Sequence, residues 1–210
     1  NVHVAESSLA RLQVLVRPRP GVDAHYDIEA LQGGIALAVR SWTDALQEIL
    51  VERFGEEMAL DYVARFGKAF PYAYKEDVTP CVASIDVANA AAAERGEPGI
   101  MSLYRPREPR SGIVRFKLFR MGAPIPLSDV LPILENLGLH IVNERPYELH
   151  LSGGQRLWIQ DFDMQPAQGD EIDLERVRSL FEEAFQRTLE GDAENDGFNR
   201  LVIASQMHWR

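Results

Sequence analysis

The chain has 210 residues, 46% hydrophobic and 26% charged, enough apolar mass for one large domain or two small ones and too much for wholesale disorder. Its 22 Lys and Arg face 32 Asp and Glu, for a net charge of −10 with no basic run, so neither nucleic acid nor an anionic membrane surface is an expected partner. One cysteine, Cys81, excludes an internal disulfide framework and a Cys-rich metal site; with no signal-peptide pattern and no membrane-spanning apolar run, a reducing cytoplasm is expected.

Leu12 to Arg17 reads as a short strand, stopped by Arg17-Pro18-Arg19-Pro20-Gly21. Such a strand needs a partner, within this chain or in a second copy. From Ile28 to about Phe54 the pattern is helical: Ile35, Val39, Trp42, Leu46 and Ile49 alternate steps of four and three, weakened at Gly33-Gly34 and ended by Gly55. A second helix follows from Glu56 to Phe66, closed by Gly67 and Pro71, and Phe70 to Tyr74 reads as an aromatic packing connector. Pro80 opens a third helix with Val82, Ile85, Val87 and Ala88 as its apolar residues. Arg95-Gly96-Glu97-Pro98-Gly99 breaks the chain, and Ile100 to Tyr104 is a strand.

The most informative stretch runs from Gly112 to Met164. In Ile113 to Phe119, Val114, Phe116 and Leu118 share one side of a strand and Arg115 and Lys117 the other, the pattern of a half-buried strand. After the turn Met121-Gly122-Ala123-Pro124, a helix carries Leu127, Val130, Leu131, Leu134 and Leu137 on one stripe. Ser128 is its expected N-cap, Asp129 suits the helix dipole, Pro132 falls near the first turn, and Gly138 ends it. In the next strand Leu139, Ile141, Tyr147, Leu149 and Leu151 share one parity, and Pro146 marks a bulge or an edge. Ser152-Gly153-Gly154-Gln155 is a hairpin turn before a strand from Leu157 to Met164. A further amphipathic helix carries Ile172, Val177, Leu180, Phe181, Ala184 and Phe185. The fold class is therefore α+β: a βαββα sandwich with helices on one face of a mainly antiparallel sheet, preceded by a mainly helical segment. The expected divisions are 1–97, a helical segment with a short N-terminal strand; 98–190, the α+β module; and 191–210, the start of a following helical region.

Chemistry-bearing motifs are sparse. No G-x-G-x-x-G, G-x-x-x-x-G-K-[ST] or H-E-x-x-H occurs, and His3, His25, His140, His150 and His208 are scattered. Asp161 and Asp163 share a strand face and read as solvated; Glu56-Glu57 and Glu182-Glu183 read as exposed helical faces. Asn195 or Asp196 reads as the cap of a C-terminal helix, and Cys81 as an inert thiol. No catalytic residue, metal site or cofactor site is expected.

Strand, helix, strand, strand with Gly122, Leu127, Leu131, Leu134, Leu137, Gly138 and Ile141 resembles the ACT domain, a small regulatory module. The wording of Phe116-Lys117-Leu118-Phe119-Arg120, Pro126 to Leu139, and Glu144-Arg145-Pro146-Tyr147-Glu148 resembles the N-terminal region of the large bacterial NAD-specific glutamate dehydrogenases, as do Arg40 to Leu46 and Ala193 to Val202. The resemblance covers the chain from about Leu12. It implies a non-catalytic regulatory or assembly segment of an enzyme that oxidises L-glutamate with NAD. NAD would bind outside this segment, and the partners would be the rest of the same polypeptide and other subunits of a homo-oligomer. The opening without methionine and the helical pattern running from Phe198 to Arg210 fit a piece of something longer. ACT domains take small effectors such as amino acids where the first strand meets the first helix. Here that implies Arg120, Gly122, Ser128 and Asp129 as effector-binding residues. Pro124 and Pro126 make this loop stiffer and poorer in N–H groups than usual, which favours an interface-forming module. The alternative reading is a free-standing ACT-type amino-acid sensor.

Overall fold

The computed structural model describes residues 3–4, 12–13, 41–106, 112–167 and 172–204. They belong to two units, Asn1–Arg40 and Ser41–Arg210. In the first, β1 (His3–Val4) and β2 (Leu12–Gln13) pair antiparallel, His3 opposite Gln13 and Val4 opposite Leu12. The strand expected at 12–17 thus finds its partner within the chain. Its residues beyond Gln13, and the helical pattern from Ile28 to Arg40, lie outside the described residues.

The second unit opens with a helical layer. Ser41 caps α1 (Trp42–Phe54), its Oγ accepting from the Asp44 N–H at 3.1 Å. Gly55, at φ +81°, separates α1 from α2 (Glu56–Phe66), a left-handed conformation that glycine adopts at little steric cost. The aromatic stretch expected as a connector contains a short helix, α3 (Tyr72–Asp77), which buries Tyr74 completely. Then α4 (Pro80–Glu94) starts on its proline, as expected. Its inward stripe is Ala83, Val87, Ala90 and Ala91, while Ile85 is 42% exposed. The apolar face is turned from the one expected because small residues let the helix lie close to what it covers.

What it covers is a four-stranded sheet in the order β3-β4-β6-β5, with every neighbouring pair antiparallel. The strands are β3 (Met101–Tyr104), β4 (Val114–Met121), β5 (Leu139–His150) and β6 (Arg156–Pro166). β6 inserts between β4 and β5, so β4, α5 (Leu127–Asn136) and β5 form a split βαβ unit, and α6 (Leu174–Glu190) and α7 (Leu201–Ala204) follow.

Both faces of the sheet are covered. On one, Val114, Phe116, Leu118, Phe162 and Met164 pack with Val130, Leu134 and Leu137 on the α5 side and Val177, Phe181 and Phe185 of α6. The Phe116 ring meets Phe181 and Phe185 edge-on at 5.1 and 4.9 Å. Each such buried phenylalanine contributes about 1.5–3 kcal/mol from the area removed from water. On the other face, Phe119, Tyr147, Leu149, Leu157 and Ile159 pack with Leu46, Leu50, Phe66, Phe70, Tyr74 and Val87 of the helical layer. The βαββα order and its two helices are as expected. The face read as solvent-facing is closed by the preceding helical segment.

One bulge reconciles β5 with both cores. Its register shifts between Ile141 and Asn143, placing Val142 outside the ladder. Leu139 and Ile141 therefore join the core under α5 and α6, whereas Tyr147 and Leu149 join the opposite one. These residues share a sequence parity, but an inserted residue sends everything beyond it to the other face. Pro146 lies on an edge strand, where a missing N–H costs no ladder bond. At the other margin, Glu182 Oε1 accepts from the Leu103 N–H at 3.1 Å. Glu182, expected to be solvated, is half-buried for this reason.

The bulge makes a sharp prediction. Val142 is 57% exposed, so Val142→Ser is expected to shift stability by less than about 0.5 kcal/mol in chemical denaturation. Deleting Val142 turns one half of β5 inside out, and loss of the cooperative transition is the expected result.

Candidate functional site

The loop expected to hold an effector is tied to the protein itself. Gln160 is buried under it; its Oε1 accepts from the Ile125 N–H at 2.8 Å, and its Nε2 donates to the Ile125 carbonyl at 2.9 Å. The N–H of Gly122 donates to the Arg156 carbonyl and that of Asp129 to the Pro126 carbonyl. Pro124 and Pro126 have no N–H to offer. Gly122 sits at φ +85° with open space where a Cβ would point. Arg120 is exposed at the end of β4, and Ser128 and Asp129 are exposed in the first turn of α5. Pro126, not Ser128, holds the N-cap position, because the helix already begins at Leu127. Ser128 instead donates from its Oγ to Asp129 Oδ1 at 3.1 Å. Among the described residues, no hydrogen bond or ion pair brings Arg120 to these two.

A denser arrangement of charge lies between α4 and the sheet. Lys117 is completely buried; its ammonium forms an ion pair with Asp86 of α4 and lies 3.9 Å from Asp161 Oδ2. Asp161 stands directly opposite Lys117 in the β4–β6 register, and Arg145 stands opposite Asp161 on the far side. One row further along, Asp163 Oδ1 lies 2.8 Å from both Arg115 Nε and Arg145 Nη2. Two tyrosines tie the helical layer to the same region. Tyr74 donates its hydroxyl to Asp86 Oδ2 at 2.5 Å, and Tyr147 of β5 donates to Asp77 Oδ2 at 2.8 Å. Asp161 and Asp163, read as solvated from the sequence, are buried because cations from neighbouring strands and the helical layer enclose them.

Burial sets the protonation behaviour here. It pushes the Asp161 carboxyl above the usual carboxylate range against the opposing pull of Lys117, Arg115 and Arg145. It also works against the Lys117 ammonium, but Asp86, Asp161 and Tyr104 outweigh it and hold that group above the usual lysine range. Burial and then the charge of Asp86 push the Tyr74 hydroxyl well up. The cluster balances three cations, Lys117, Arg115 and Arg145, with three carboxylates, Asp86, Asp161 and Asp163. It offers no unpaired charge to a substrate, and no group of His, Cys, Asp and Glu able to hold a metal occurs among the described residues.

The sequence pointed to the exposed loop and passed over this cluster. A signal existed. Asp86 falls three residues after Ala83 and four before Ala90, within the buried stripe of α4. A carboxylate in an apolar stripe needs a cation opposite it, and Lys117, flanked by Phe116 and Leu118, is that cation.

Two predictions follow from this geometry. Gln160→Leu leaves the Ile125 N–H and carbonyl buried without partners and is expected to cost about 2–4 kcal/mol in denaturant unfolding. Tyr74 and Lys117 both keep their protons to higher pH when folded than their ordinary values of 10.0 and 10.5. Above about pH 10 the unfolded chain releases protons first, so stability falls as pH rises. Denaturation midpoints followed from pH 8 to 12 are expected to turn down near pH 10, less steeply in Tyr74→Phe.

Comparison with known proteins divides the chain as the two layers do. Residues 99–177 match the family model described as glutamate dehydrogenase, ACT3 domain, and residues 49–93 match glutamate dehydrogenase, helical motif 2. The whole chain is 42% identical to an NAD-specific glutamate dehydrogenase of Halomonas elongata. It is 37% identical, over 98% of its length, to one of Pseudomonas aeruginosa, and 29% identical, over 86%, to one of Mycobacterium tuberculosis. The chain spans 13% of the length of the first two relatives and 11% of the third. The chain belongs to the NAD-specific glutamate dehydrogenase family, as the stretch that carries helical motif 2 and the ACT3 domain.

Proposed function

We propose that this chain is a non-catalytic regulatory and assembly segment of an NAD-specific glutamate dehydrogenase. The observation that carries the reading is the joint match of the helical layer and the α+β module to two parts of that family, over a small share of the relatives' length. The intact enzyme, in this reading, converts L-glutamate, NAD and water to 2-oxoglutarate, ammonium and NADH in the cytoplasm, and NAD binds to another part of the polypeptide. The partners of this segment are the remainder of its own polypeptide and other subunits of a homo-oligomer. Its divisions are taken at 1–97, 98–190 and 191–210. An amino-acid effector would meet Arg120, Gly122, Ser128 and Asp129. The commitment of backbone groups in that loop to the protein's own bonds favours assembly over sensing. No helix among the described residues is long and apolar enough to cross a membrane.

The test is enzymatic and calorimetric. Incubated with glutamate and NAD, the isolated chain is expected to form no NADH by absorbance; turnover by the chain alone overturns the reading. Titration with amino acids is expected to give no saturable heat while sedimentation shows self-association. Micromolar binding to a monomer would instead establish the free-standing sensor.

A further inference from the structure

We propose that Lys117 is a transferable latch between the helical layer and the sheet: it pairs with Asp86 while the layers are together and passes to Asp161 when the helical layer lifts away. This inference is independent of the parent activity.

Each layer supplies the ammonium with one carboxylate and one aromatic ring. From the helical layer come Asp86, in direct ion contact, and the Tyr74 ring, its centre 5.7 Å from Nζ. From the sheet come Asp161, 3.9 Å away, and the Tyr104 ring at 5.4 Å. The helical set is engaged, since Asp86 also accepts the Tyr74 hydroxyl. The sheet set acts by charge alone: both oxygens of Asp161 are buried without a hydrogen-bond partner, and Oδ2 faces the ammonium from 3.9 Å. A buried carboxylate that accepts no hydrogen bond is unfavourable in any one resting structure. Its position directly across the ladder from a shared ammonium gives it a use in a second structure. The flanking arginines act on Asp161 through their charge only, because Arg115 and Arg145 both give their direct contacts to Asp163 Oδ1.

Separating two layers that share a buried ion pair normally strands a charge, which is what makes such a contact hard to open. Here Asp86 would leave with α4 into water, and Lys117 would remain on the sheet with an anion in reach. Small residues dominate the α4 side of the contact, Ala83, Ala90 and Ala91 beside Val87. The two sets also divide as the family models do. Tyr74 and Asp86 lie in the helical-motif match; Tyr104, Lys117 and Asp161 lie in the ACT3 match. The latch therefore spans a junction between modules.

The test is a double-mutant cycle on the full chain, read by denaturant unfolding. Asp161→Asn alone is expected to change the folding constant by less than about threefold, since Asp161 accepts no hydrogen bond while the layers are docked and Asp86 keeps the direct contact. Asp86→Asn alone is expected to lower it by less than about tenfold, since Asp161 takes over the ammonium. The double variant is expected to lose at least about tenfold more than the product of the two, because Lys117 then has no anion in either layer. Should the double variant not fold, adding Lys117→Met is expected to restore folding by removing the stranded charge. Hydrogen exchange gives a second readout: α4 amides open faster in Asp86→Asn and slower in Asp161→Asn. Single effects that simply multiply, or a double variant that Lys117→Met does not rescue, overturn the proposal.

Discussion

A sheet covered on both faces has no solvent side, and this constraint governs the rest of the molecule. Each residue buried in β4 and β6 must either join an apolar core or find a polar or charged partner. Val114, Phe116 and Leu118 take the first course on the α5–α6 face, and Phe119 and Ile159 take it on the other. Arg115, Lys117, Asp161 and Asp163 take the second. The apolar half of the second face holds the helical layer by area, and the charged half fixes where it sits. A displaced apolar contact loses a little energy gradually, whereas a displaced buried ion pair loses much of it at once.

Much of this architecture was legible in the sequence, for reasons that differ by element. The Leu127 to Gly138 helix announced itself through a regular stripe and a terminal glycine, which sits at φ +85°. Two adjacent glycines marked the hairpin, and both adopt positive φ there. Local chemistry decides such features, so local sequence reveals them. What escaped depended on packing between distant segments. Lys117 and Asp161 alternate with apolar neighbours as solvent-facing residues would. Only the arrival of α4, whose Asp86 lies 31 residues before Lys117 and further still from Asp161, turns them inward. The bulge at Val142 was hidden for a similar reason: parity assumes an uninterrupted ladder, and the register belongs to the pair of strands.

The candidate site shows the same division. Glycine, serine and aspartate at a strand-to-helix turn are conspicuous in a sequence, and they drew attention to residues 120–129. The residue that determines how that turn is held, Gln160, lies 35 positions away from Ile125 and resembles any strand glutamine. A turn clamped from beneath by a buried amide has little freedom to close around a small molecule. In a module packed against a helical layer, such rigidity suits a part that positions its neighbours.

The carboxylate that α6 places on the margin of β3 has a consequence for handling this protein outside its natural surroundings. An uncovered strand margin is a template on which a second molecule can lay its own backbone, and aggregates grow from such templates. Glu182 occupies a donor that a foreign strand would require, and the half-burial of its side chain keeps it in place. One helical glutamate thus guards that margin against the backbone of a second molecule.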